Sequence, residues 1–98
     1  MHYFPEVCWY VLRTRSKAEE LVKKGLQAKE IDLLHPTYQA ISKRRDRHRV
    51  LTKPIFKGYL FVHLQLAAES HLVILKTMGV IEILKNSHGP VPVPDEQI

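Results

Sequence analysis

Residues Gly58-Tyr59-Leu60-Phe61-Val62-His63-Leu64 alternate in character with a period of two. On a strand, successive side chains point to opposite faces. Leu60, Val62 and Leu64 therefore share one face, and Tyr59, Phe61 and His63 share the other. A strand that is aliphatic on one side and aromatic on the other needs a covering layer against its aliphatic side. Its aromatic side is a candidate binding surface, because monomers rarely expose such patches without a use. The competing reading is that further chain or a second domain covers it.

The flanking segments supply the layer. Trp9-Tyr10-Val11-Leu12-Arg13-Thr14 is rich in aromatic and aliphatic residues and predicts a strand. Ser16-Lys17-Ala18-Glu19 has the spacing of a capping box and predicts a helix from Ser16 to about Lys29. Ala18, Leu21, Val22 and Leu26 would form its buried face. Glu19 with Lys23, and Glu20 with Lys24, have the spacing of stabilising pairs on its wet face. Leu33 to Ser42 predicts a second strand with Pro36 near its start, as an edge strand tolerates. The basic stretch 43–49 would cap a long hairpin whose return arm begins near Val50 and is interrupted at Pro54. Ser70 or Glu69 would cap a second helix carrying Leu72, Ile74 and Leu75, with Gly79 at its stop. Val80 to Leu84 predicts the last strand. Asn86 to Gly89 turns the chain, and Asp95 caps the first turn of another helix. The order strand-helix-strand-strand-helix-strand is the split βαβ, ferredoxin-like pattern of an α+β domain. It predicts a four-stranded antiparallel sheet with both helices on one face.

Ninety-eight residues make one domain, 1–98, and no apolar run reaches the ~18 residues of a membrane span. The first residues lack the basic-then-apolar pattern of a signal peptide. Cys8 is the single cysteine, so an intramolecular disulfide is excluded and a reducing cytoplasm fits. The net charge of +5 is unevenly placed, with 13 of the 15 Lys and Arg residues between Arg13 and Lys57. From 43 to 57 there are seven basic residues and one acid. Such a segment is either a solvated hairpin tip or a phosphate-binding one, since Arg-rich loops gain from counterion release.

Catalytic constellations are absent. The histidines at 2, 35, 48, 63, 71 and 88 have no metal-ligand spacing. The glycines at 25, 58, 79 and 89 make no phosphate loop. The chain reads as a binding module with no cofactor and no enzymatic activity.

Two families share the predicted element order. RNA-recognition motifs carry the pattern Lys/Arg-Gly-Phe/Tyr-Gly/Ala-Phe-Val-x-Phe/Tyr, and residues 57–64 match five of its seven specified positions. Leu60 stands where that family has a small residue, and Leu64 where it has an aromatic. The alternative is therefore a single-stranded RNA-binding domain. More of the chain resembles the NusG N-terminal (NGN) domain, in the branch that contains RfaH. Trp9-Tyr10-Val11-Leu12 resembles that family's opening strand, and His35-Pro36-Thr37 the start of its second. Lys53-Pro54-Ile55-Phe56-Lys57-Gly58-Tyr59-Leu60-Phe61-Val62 resembles its Phe-Pro-Gly/Asn-Tyr-x-x-Val stretch, with Lys57 in place of a proline. Gly79-Val80 and Pro90-Val91-Pro92 complete the order.

The resemblance implies a transcription elongation and antitermination factor that binds bacterial RNA polymerase. The implied groove for the clamp helices of the β′ subunit comprises Val11, Phe56, Tyr59 and Phe61. Ser70 and His71 would meet the gate loop of the β subunit. Arg15 would face the upstream fork and non-template DNA, with Lys43, Arg44, Arg45, Arg47 and Arg49 along upstream duplex. The resemblance also implies a monomer that works away from membranes, and a natural protein that continues into a linker and a KOW domain.

Overall fold

The computed structural model describes residues 2–44 and 47–94, with the side chains of residues 40–50 outside that description. Its elements are β1 (Val7–Thr14), α1 (Glu19–Ala28), β2 (Asp32–Leu34), β3 (Thr37–Arg44), β4 (Arg47–Pro54), β5 (Tyr59–Gln65), α2 (Ala68–Leu75), β6 (Val80–Ile83), β7 (Lys85–Asn86), β8 (Gly89–Pro90) and β9 (Pro92–Val93). The expected terminal helix from Asp95 lies outside the described residues.

The molecule is α+β. The main sheet runs β2-β5-β1-β6, and β9 also pairs with β1, which makes five strands where four were expected. All of these pairings are antiparallel. Trp9 and Tyr10 meet β9, while Leu12 to Thr14 meet β6, so two short strands share one edge of β1. The extra strand arises because Pro92 and Val93 are already extended by the surrounding prolines.

Period-two patterning places the core. Tyr10 and Leu12 of β1, Leu60 and Val62 of β5, and Ile83 of β6 are fully buried together with Val22 and Leu26 of α1 and Ile74 of α2. Both helices thus cover the same face of the sheet. Each such side chain contributes on the order of 1.5–3 kcal/mol. Leu64 is only half-buried at the rim of this cluster. Leu21, expected inside, is 48% exposed, and Leu72 and Leu75 of α2 are 52% and 40% exposed. Both helices are short, and each inserts a narrow stripe of residues into the sheet rather than a broad apolar face.

The start of α1 departs from the capping-box expectation. The helix begins at Glu19, behind Ala18, which makes no side-chain cap. Residues 15–18 are used in a turn in which Lys17 takes a φ of 60°. Two backbone bonds fix that turn: the Thr14 N–H donates to the Gly58 carbonyl at 2.8 Å, and the Arg15 N–H to the Gly79 carbonyl at 2.8 Å. Glu19 is drawn inward, where its carboxylate accepts the Gly58 N–H at 3.4 Å. Neither expected Glu–Lys pair closes; Glu20 instead lies 3.7 Å from Nδ1 of the buried His35. Gly58 and Gly79 have φ of +80° and +95°, and a Cβ on Gly79 would sit 2.8 Å from Val22 and 3.1 Å from Ala18. Glycine at 79 thus lets the β6 entry pass close to α1.

At α2 the expected cap is reversed. Ala67 is the N-cap, and Ser70 reaches back to accept the Ala67 N–H at 2.9 Å. The expected strand Leu33 to Ser42 is broken at His35-Pro36 into β2 and β3. Proline has no N–H for a ladder and holds its predecessor extended, so the chain leaves the sheet there. The return arm starts earlier than expected, at Arg47, and stops at Pro54. Among the described residues, β3 and β4 pair only with each other, in register from Thr37↔Pro54 to Arg44↔Arg47.

Candidate functional site

The helices leave the other face of the sheet bare, and strand register arranges it in rows. In one, Asp32, His63, Trp9 and Val93 lie side by side across β2, β5, β1 and β9. In the next, Leu34, Phe61 and Val11 are neighbours. In the third, Tyr59, Arg13 and Glu82 follow across β5, β1 and β6. The middle row is apolar, and the rows beside it carry charge or polar tips.

The aromatic groups are packed, not scattered. The Trp9 and His63 rings stack with centroids 4.4 Å apart and planes 13° from parallel. Phe56, 50% exposed in the turn before β5, meets Phe61 edge-on at 6.1 Å. Such pairings hold the rings in place before any partner arrives, so little side-chain freedom remains to be lost on binding.

Val11, Phe56, Tyr59 and Phe61 are thus brought onto one surface. Sequence reasoning missed Trp9, Leu34 and Arg13 as members of it. Continuing the alternation along the first strand from Val11 would have found Trp9 and Arg13. Leu34 depended on the break at Pro36, which decides which of its neighbours belong to the sheet.

A cleft of about 660 Å³ adjoins this face. It lies between the base of the hairpin, represented by Thr37, Thr52 and Pro54, and the turn into α1, with Arg13, Lys57 and Tyr59 on the side of the sheet. His35 also lines it, and neither ring nitrogen has a hydrogen-bond partner.

The remaining sequence candidates lie elsewhere. Arg15 is exposed beside a shallower cleft of about 530 Å³ that also includes Leu21, Leu75 and Met78. Arg45 lies outside the described residues, as do the side chains of Lys43, Arg44, Arg47 and Arg49; the backbone places 43, 44, 47 and 49 at the end of the hairpin. The Ser70 hydroxyl is engaged at the start of α2.

His71, expected on a contact surface, is 7% exposed. Its Nδ1 shares a 2.9 Å hydrogen bond with the Tyr3 hydroxyl, and the rings meet edge-on. The residue therefore ties the N-terminal segment to α2. Burial, helped by the nearby charge of Lys85, holds its pKa below the ordinary 6.5. The unfolded chain then takes up this proton first as pH falls. The His71 contribution to stability is whole above about 6.5 and declines below it, until the folded ring also protonates. We expect the melting temperature of the wild type to fall between pH 7 and 5 more steeply than that of His71→Gln. Parallel slopes in thermal melts would refute this role.

Tyr10 is a second buried titrating group. Burial, with Cys8 beside it, pushes its hydroxyl up to about 12. It lies in the core, away from the bare face.

Among the described residues, no group of three or more His, Cys, Asp or Glu side chains is placed to hold a metal ion. No helix among them is long and apolar enough to cross a membrane. The arrangement offers a pre-packed apolar surface and cationic groups at its borders.

The chain is similar to known proteins in sequence and fold. The family model described as transcription termination factor NusG matches residues 7–98. The chain is 30% identical over 99 residues to the transcription termination/antitermination protein NusG of Chlamydia trachomatis serovar D, covering 92% of this chain and 54% of that protein. It is 33% identical over 94 residues to the NusG of Chlamydia pneumoniae, covering 87% and 50%. With the NusG of Thermus thermophilus it shares 31% identity over 104 residues, covering 90% and 56%. A solved structure described as domain interaction in Thermotoga maritima NusG superposes with a TM-score of 0.60 at 26% identity, over 94% of this chain and 53% of that one. The chain spans about half the length of the relatives it matches.

Proposed function

The chain belongs to the NusG family of transcription termination/antitermination factors, and on that premise we propose that its bare sheet face binds the β′ clamp helices of bacterial RNA polymerase. The observation that carries this reading is the apolar row Leu34–Phe61–Val11, widened by Phe56 and backed by the Trp9–His63 stack. A surface of that kind suits the apolar stripe of a helix pair. The sheet path β2-β5-β1-β6 supports the ferredoxin-like reading of the fold. The finer assignment to the RfaH-like branch rests on sequence resemblance alone.

The domain acts by binding and catalyses nothing, without a cofactor, in the cytoplasm. Held on the clamp, with the α2 start near Ser70 toward the β gate loop, it bridges the main cleft of the polymerase. Arg15 then faces the upstream fork, and the basic hairpin follows upstream duplex DNA. Bridging favours the closed clamp, and a ligand shifts an equilibrium by its differential affinity for the two states. Paused polymerase, with its clamp open, is thereby disfavoured.

The test is a parallel titration of the purified domain with a β′ clamp-helix fragment and with a short single-stranded RNA. The fragment is expected to bind with an affinity that survives moderate salt. RNA binding is expected to be weak and to fall steeply with salt, as backbone contacts do. Tight RNA binding with no fragment binding would make the domain an RNA-recognition module instead.

A further inference from the structure

Arg13 is out of place on an apolar docking face. Its register neighbours are Tyr59 on β5 and Glu82 on β6. The nearest approach to Glu82 is 3.5 Å, and the two side chains are 44% and 41% exposed. A charge-assisted bond between such groups is normally about 2.7–2.9 Å, and a guanidinium carries about five N–H donors. Among the described residues, most of the donor capacity of Arg13 is therefore uncommitted.

The surroundings share this bias. The cleft beside Arg13 is also lined by Lys17 and Lys57. Of the acids lining it, Glu19 accepts the Gly58 N–H and Glu20 lies against His35. Arg13 and Tyr59 belong to both the cleft and the open face, so a partner seated on Phe61 and Val11 also covers Arg13. Covering a charge held only by a loose 3.5 Å pair is costly unless the partner supplies a further counterpart.

We propose that Arg13 is a specificity determinant of this face: the partner places a carboxylate against the Arg13 guanidinium, at the mouth of the cleft between the sheet and the hairpin base. This rests on the reading of the face as the clamp-helix site. The row of Arg13 and the row of Val11 lie two residues apart along β1, or roughly 7 Å. Neighbours at i and i+4 on a helix are separated by a similar distance, about 6 Å. A helix laid along β1 would thus carry its acid about one turn from an apolar residue anchored at Phe61. Charge complementarity of this sort selects partners and fixes register more than it adds raw affinity.

The experiment measures binding of wild type, Arg13→Met, Arg13→Glu, Arg13→Lys and Glu82→Gln to the β′ clamp-helix fragment, with circular dichroism confirming the fold of each. Arg13→Glu is expected to weaken binding by about tenfold or more, and Arg13→Lys by less than Arg13→Met. Glu82→Gln should bind as well as wild type or better, because Glu82 competes for the guanidinium. Changing fragment acids singly to Lys should identify one position that restores affinity to Arg13→Glu and not to wild type. If wild type binds and Arg13→Met binds equally well, or if Glu82→Gln loses affinity, the carboxylate is not the partner's and the proposal falls alone. If wild type does not bind the fragment, the clamp-helix reading falls and the proposal with it.

Discussion

Tyr59→Ala and Phe61→Ala are each expected to weaken binding to a β′ clamp-helix fragment by about tenfold or more. Aromatic anchors at the centre of an interface typically contribute about 2 kcal/mol or more when truncated, and 1.4 kcal/mol is already tenfold. Phe61 should show the larger loss. It lies between Leu34 and Val11 in the apolar row and meets the Phe56 ring edge-on. Removing its ring opens the middle of the face and frees the Phe56 ring at once. Tyr59 lies one row away, beside Arg13. Neither residue is part of the fully buried core, so the fold should survive both changes. Affinity for short single-stranded RNA should hardly move. In an RNA-recognition module the same rings would stack bases, worth about 1–3 kcal/mol each. Loss of RNA binding with intact fragment binding would overturn the proposed function.

The hairpin gives the second large effect. Changing Arg44, Arg45, Arg47 and Arg49 together to Ser should flatten the log–log salt dependence of DNA association by the polymerase-bound domain. Each phosphate left without its arginine lowers the slope by roughly 0.9, so four amount to about 3.6. Between 50 and 200 mM salt, that slope alone corresponds to roughly a hundredfold in affinity. Stability should change little, because among the described residues β3 and β4 pair with no other strand. An unchanged slope would leave the basic tip a solubilising feature.

Much of this molecule was legible in strictly local patterns. The alternation of 58–64 set the β5 faces correctly, because period two admits little ambiguity when one side is aliphatic and the other aromatic. Readings failed where a tertiary contact outbid a local one. Ser16 has the spacing of a cap, yet the turn into α1 is governed by backbone bonds to Gly58 and Gly79, which are distant in sequence. Glu19 is withdrawn from helix chemistry for the same reason. Leu21, Leu72 and Leu75 satisfy helical spacing but lie off the narrow stripe that meets the sheet. The bond between Tyr3 and His71 joins residues from distant parts of the chain, and no window of sequence contains both. The apolar part of the candidate site was readable from one strand and its preceding turn. Arg13 follows from continuing the alternation on β1, but its pairing with Glu82 was not readable, because the two become neighbours only when β6 docks on β1.

The base of the hairpin is closed by a bond from the Ile55 N–H to the Pro36 carbonyl at 2.9 Å. Beyond it the two arms answer only to each other, while β2 and β5 keep their register below. Beyond Thr37 and Thr52, which line the cleft, no strand pairing among the described residues carries a change in the arms to the docking face. Doubling the length of such an excursion costs only about 0.6 kcal/mol in closure entropy. The arm behaves as an exchangeable boom: its reach and charge can be retuned, residue pair by residue pair, while the grip on the partner stays fixed.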